Sequence, residues 1–138
     1  MQKARTETTK RAEPLPAELD SSIQATRKLA FEAERAGQGE LAEKRYSEAW
    51  SMLPEPCHGW DSSLIMALDV VDFHFKARRF DQALAWLDEA DKAAEGGQNS
   101  QNLVWLGKIR FEQGRLDEAH RLFAEVVNRH YFWLAVIG

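Results

Sequence analysis

The chain has 138 residues, 44% of them hydrophobic and 29% charged, with 18 basic against 22 acidic side chains and a net charge of −4. That is one domain's length and an ordinary globular composition, too apolar for a disordered chain and too acidic for a typical nucleic-acid binder. Cys57 is the single cysteine, so no intramolecular disulfide forms; with no apolar run near the ~18 residues of a membrane span, a cytoplasmic chain without a membrane partner is expected.

Residues 1–20 read as a disordered tail. Lys3, Arg5, Lys10 and Arg11 are diluted by Glu7 and Glu13, and no apolar stretch follows them to make a secretory signal. The folded domain is expected over residues 21–138. Ser21-Ser22-Ile23-Gln24 has the form of a capping box and opens a helix reaching about Ala36. Gly37–Gly39 ends it, and a second helix runs from Glu40 to Leu53, where Pro54-Glu55-Pro56 stops it. Asp61 caps a third helix reaching about Ala77. Arg78–Asp81 turns it into a fourth that fades at Gly96-Gly97. Ser100 opens a fifth, and Gln113–Arg115 turns it into a sixth ending near Arg129. No stretch after the tail alternates with the period of a strand.

Six helices in three hairpins invite comparison of the hairpins with one another. Ala42, Ala83 and Ala119 fall near the start of each second helix. Tyr46, Leu87 and Phe123 follow four residues later, and Ala49, Ala90 and Val126 three beyond those. Leu29, Val70 and Leu106 lie thirteen residues before the alanines, each followed by a small or slim residue: Ala30, Val71, Gly107. Gly37, Arg78 and Gly114 mark the turns. Glycine costs about 1 kcal/mol against alanine inside a helix, so Gly107 is expected where two helices approach too closely for a side chain. This is the tetratricopeptide pattern, and the expected fold is all-α, a short α-solenoid of about three such hairpins. The alanines are 41 and 36 residues apart, because "PEPCHGW" and "EGGQNSQN" lengthen the connections. The first hairpin also admits a second register, with Tyr46 and Ala49 placed like Phe80 and Ala83.

With those insertions placed, the chain resembles the small tetratricopeptide proteins encoded beside bacterial polymorphic toxins, thought to act as their immunity proteins. The carrying residues are Leu53-Pro54-Glu55-Pro56 with Trp60 and Ser63, then Phe80-Asp81-Gln82-Ala83-Leu84, Gly96-Gly97 and Asn99. Leu106-Gly107, Phe111-Glu112, Gly114 and Ala119 complete the likeness, which spans roughly residues 25 to 130. The chain departs from that group at Val70, Val71 and His74, and in its apolar end "HYFWLAVIG". The resemblance implies a protein-binding module that neutralises a toxin. The alternative is an adaptor, scaffold or secretion chaperone of the same fold with no toxin partner.

In such proteins the first helices of the hairpins line the binding surface. Mapped onto this chain, that surface includes Arg27, Phe31 and Arg35, then Leu68, Asp69, Asp72 and Phe75, then Gln101, Trp105, Lys108 and Phe111 or Glu112. Asp69 and Asp72 are one turn apart; they either receive a partner's lysine or arginine or pair locally with Lys76 or Lys108. Trp60 sits in a loop, either as a plug over the seam between hairpins or as a binding anchor. His58, His74, His120 and His130 form no ligand spacing with Cys57, and no phosphate loop or nucleophile motif appears. Neither a metal, a cofactor nor an enzymatic activity is expected. The apolar run His130–Gly138 is expected either to be completed by further residues or to be buried against a second copy of the chain.

Overall fold

The computed structural model describes the backbone of residues 12–94 and 99–137 and the side chains through His130. Every regular element among them is a helix: α1 (Ala17–Arg35), α2 (Gly39–Ser51), α3 (Ser63–Lys76), α4 (Phe80–Ala93), α5 (Ser100–Glu112) and α6 (Leu116–Ile137). They pack as three hairpins, α1 with α2, α3 with α4 and α5 with α6, and consecutive hairpins meet through α2 and α3 and through α4 and α5. The expected all-helical class therefore holds among the described residues.

Three boundaries differ from expectation; at one of them α3 begins at Ser63 behind Ser62, so Asp61 is not its cap. The first helix begins at Ala17, behind Pro16, so Ser21 and Ser22 are exposed residues within it and not its cap. The reason is an apolar stripe that starts earlier than the capping signal. Leu15 and Ile23, with Leu19 beside them, pack on Ala49, Leu53 and Met66. Glu13 is held as well, its N–H donating to Gly59 O and its carbonyl accepting from Asp61 N, so residues 12–20 belong to the fold and not to the tail. Residues 1–11 lie outside the described part. At the other end α6 does not stop near Arg129 but runs to Ile137, since no glycine or proline interrupts it before that point. The side chains of the apolar end segment lie outside the described residues.

The turn within each hairpin is closed in one way. Gly37, Arg78 and Gly114 hold left-handed φ values of +77°, +59° and +83°. The next residue in each case donates to a carbonyl five residues back: Gln38 to Ala33, Arg79 to His74, Arg115 to Arg110. A left-handed residue satisfies helix-end carbonyls that water would otherwise take. Glycine adopts it without strain, whereas Arg78 bears roughly 1–2 kcal/mol. Its guanidinium lies 5.0 Å from the Phe80 ring centroid and bonds Glu112 at 2.9 Å.

The aligned alanines are all buried, and three apolar clusters form around and between the hairpins. Ala30, Ala33, Ala42 and Tyr46 receive Val70 and Phe73 across the first junction. Ala67, Leu68, Val71, Ala83, Leu87 and Ala90 receive Ile109 across the second. Asn102 is buried there too, its Nδ2 donating to Asp91 Oδ1 at 2.8 Å, which ties α5 to α4. Gly107 faces Phe123: a Cβ at that position would stand 2.5 Å from the ring's Cε1 and 2.9 Å from Cζ. The expected close approach of α5 and α6 is met at this point.

His74 is buried in α3 and accepts a hydrogen bond from Arg79 Nε at its Nδ1 (3.1 Å). Burial, then the Arg79 charge, holds its pKa below the ordinary histidine value.

Gly107→Ala should lower stability by about 1–3 kcal/mol through overpacking, against the propensity gain, and Phe123→Leu should restore part of it in the double variant; urea unfolding measures both. His74 contributes stability that is fully present above its unfolded pKa of about 6.5 and is lost as pH falls toward the lower folded value. Unfolding at pH 7.5 and 5.5 should show that loss in the native chain and a smaller one in His74→Gln.

Candidate functional site

The α1, α3 and α5 helices bring most of the sequence-predicted residues onto one connected face. Arg27 on α1 lies 5.6 Å from the Phe31 ring centroid, and its Nη2 donates to Asp69 Oδ2 on α3 at 2.5 Å. Phe31 meets Tyr46 edge to face at 5.8 Å, and the Tyr46 hydroxyl donates to Glu34 at 2.6 Å. One turn along α3, Asp72 pairs with Lys76 at 2.8 Å. Phe75 follows, half-buried, with Phe80 at 6.0 Å and Trp105 of α5 at 5.5 Å. Lys108 sets its ammonium over both rings, 4.1 Å from the Trp105 centroid and 5.5 Å from that of Phe75. Gln101, Phe111, Glu112 and Arg35 are exposed. Leu68 is not part of this face; it points inward between α3 and α4 and is buried in the second cluster.

The aspartates have partners inside the chain. Asp69 faces Arg27, which the sequence did not single out as its partner, and Asp72 takes Lys76, the local pairing. Both Arg27 and Asp69 side chains are about 15% exposed. Burial pushes the Asp69 carboxyl above its usual range even against the Arg27 charge, so this pair sits where desolvation outweighs attraction. The contact joins hairpin one to hairpin two. Burial and the Glu34 hydrogen bond likewise push the Tyr46 phenol well up, so it stays a neutral donor.

Trp60 packs against the Leu15–Ile23–Leu53–Met66 cluster, and its indole N–H donates to Pro54 O at 2.9 Å. Its neighbours in the loop are pinned too: Ser63 Oγ donates to Cys57 O, and Gly59 N to Pro56 O. The tryptophan covers the seam between the first two hairpins.

A second cluster escaped the sequence reading. His58 Nε2 lies 2.5 Å from Glu89 Oε1 on α4, and Cys57 Sγ lies 3.7 Å from His58 Nδ1. The His58 ring meets Trp50, and Trp50 meets Trp86 nearly at right angles, 5.3 Å between centroids. Trp50, Ala85, Trp86 and Glu89 line a shallow groove of about 300 Å³. Trp86 and Glu89, three apart on one helix face, were the only signal of it; the loop-to-helix contact is not written in any local spacing. The Cys57 thiol is pushed up by burial and then by Glu55 and Glu89, so it is held as the neutral thiol, the weaker nucleophile. Among the described residues no group of three or more His, Cys, Asp or Glu is placed to hold a metal ion, and no helix is long and apolar enough to cross a membrane.

No family model matches the chain, and no curated protein matches it in sequence.

Asp69→Lys should destabilise the fold by about 2–4 kcal/mol, since it sets two cations together in a partly buried place. Asp72→Lys, next to exposed Lys76, should cost under ~0.5 kcal/mol. Thermal or urea unfolding of the two variants separates them; equal small losses would mean that the Arg27 pair does not join the hairpins.

Proposed function

We propose that the chain is a tetratricopeptide-type binding module, a short α-solenoid, and that it acts in the cytoplasm as an immunity protein that takes a toxin along the face shared by α1, α3 and α5. The observation that carries this reading is the continuity of that face. Three successive first helices are linked by Arg27–Asp69 and by Phe75–Trp105, and the linking residues remain partly exposed beside Phe31 and Lys108. Half-buried aromatic side chains such as Trp105, and an arginine such as Arg27, held rigid by neighbours, are of the types that dominate protein interfaces. A rigid anchor gives up little conformational entropy on binding. The acid–base pairs at the hairpin junction hold the face in shape, while Phe75, Trp105 and Lys108 offer the contact. The buried alanines at equivalent places in the three hairpins and the left-handed turns support the repeat assignment, and the resemblance to immunity proteins supports the kind of partner.

The test is protection. Genes adjoining this one are expressed singly in a heterologous bacterium, and any that arrests growth is co-expressed with the native chain or with its Phe75→Ala/Lys108→Glu variant. Native chain should restore growth, and the variant, folded by its helical melting curve, should restore it at least tenfold less well in surviving cells. Growth arrest that the native chain never relieves would favour an adaptor or secretion chaperone; equal protection by the variant would move the contact off this face.

A further inference from the structure

The hairpins repeat their junctions as well as their turns. At the first junction Val70 and Phe73 of α3 are buried against Ala30, Ala42 and Tyr46. At the second, Leu106 and Ile109 of α5 pack on the cluster around Ala83 and Leu87, and Trp105 meets Phe75, itself paired with Phe80. Counted from the aligned alanines, Leu29 on α1 corresponds to Val70 and Leu106, while Phe111 and Leu116 of the third hairpin correspond to Phe75 and Phe80. These counterparts are open: Leu29 is 47% exposed, Phe111 54% and Leu116 57%. One end of the hairpin row thus carries the inserting half of a junction, and the other end the receiving half. Leu29 borders a shallow groove of about 310 Å³ with Ala33, Ala36 and Leu41.

We propose that these two ends bind one another in separate copies, α1 of one copy packing head to tail on the α5–α6 hairpin of the next, as α5 packs on α3–α4 within the chain. The occupant is a second copy because the chain itself supplies both halves of the junction, in the register its own interior uses. Lys28 falls at the place of Trp105 and brings an ammonium to the Phe111 ring, the contact that Lys108 already makes with Phe75 at 5.5 Å. Glu32 falls at the place of Phe73 and Ile109, both buried at the internal junctions. A carboxylate there loses water when the ends meet, which keeps the contact weak and reversible. A heterologous contact of this kind builds a row and not a closed pair. This contact shares Phe111 with the surface mapped from the sequence but uses none of Phe75, Trp105 and Lys108, and it does not depend on the toxin reading.

Sedimentation of the full chain over a concentration series is the test. Native protein should gain mass as concentration rises, and Glu32→Ile should associate at least tenfold more tightly. Leu29→Glu and Leu116→Glu should each remain monomeric alone. Mixed, they should form a one-to-one dimer and nothing larger, because the first keeps the receiving end and the second the inserting end. Matching melting curves would show that both variants are folded. Three results would each overturn the proposal: no mass gain in native chain or in Glu32→Ile, a mixture that stays monomeric, or Leu29→Glu associating as strongly as native chain, as symmetric pairing of the α5–α6 ends or contact through the apolar end segment would produce.

Discussion

Two helices in a hairpin approach only as far as the side chains at their crossing permit, and this chain keeps those side chains small. Ala42, Ala83 and Ala119 are buried almost completely at equivalent places in the second helices. At the α5–α6 crossing the requirement is stricter, because the Phe123 ring fills the space where even a methyl group at residue 107 would stand. The larger residues four places on from the alanines, Tyr46, Leu87 and Phe123, fill the volume that the close approach opens. Close packing of this type makes interiors dense and intolerant of added volume. The left-handed turns at Gly37, Arg78 and Gly114 then return each second helix in the direction that lets the small residues meet.

Polar residues join the hairpins where apolar packing alone would leave them free to slide. Arg27 and Asp69 tie α1 to α3, and Asn102 and Asp91 tie α5 to α4. Such contacts have defined directions and fix a register that dispersion forces do not specify. On the face shared by α1, α3 and α5, Arg27 pairs with Asp69 and Asp72 with Lys76, while Phe31, Phe75, Trp105 and Lys108 lie beside them. Phe75, Trp105 and Lys108 hold one another through ring and cation–π contacts, and each keeps part of its surface exposed.

The connection between α2 and α3, residues 52–62, is the longest between successive helices, and it is fastened from three directions. Glu13 pairs with its backbone from the N-terminal side, Trp60 plugs the seam beneath it, and His58 reaches Glu89 on α4. The insertion between the first two aligned alanines is thus tied to the N-terminal segment and to α4.

Much of the fold was legible from residue order. Helical periodicity, the prolines after α2 and the glycines at the turns place six helices and their pairing, since these signals act within a few residues of themselves. The alanine alignment located the packing crossings, and Gly107 was readable as a close approach because a helix does not otherwise accept the cost of glycine. The start of α1 was misread, because Leu15 and Leu19 are held by Leu53, Met66 and Trp60, far away in the chain, and no local cap announces that. The partners of Arg27 and Asp69, 42 residues apart, and of His58 and Glu89, 31 apart, were equally out of reach. Leu68 looked like a surface residue and is core, because the angle at which α3 leans on α4 and α5 decides which of its apolar residues face inward. Local chemistry determines where this chain turns and which residues are small; which charges meet, and which aromatic rings stay open, is decided only when the hairpins come together.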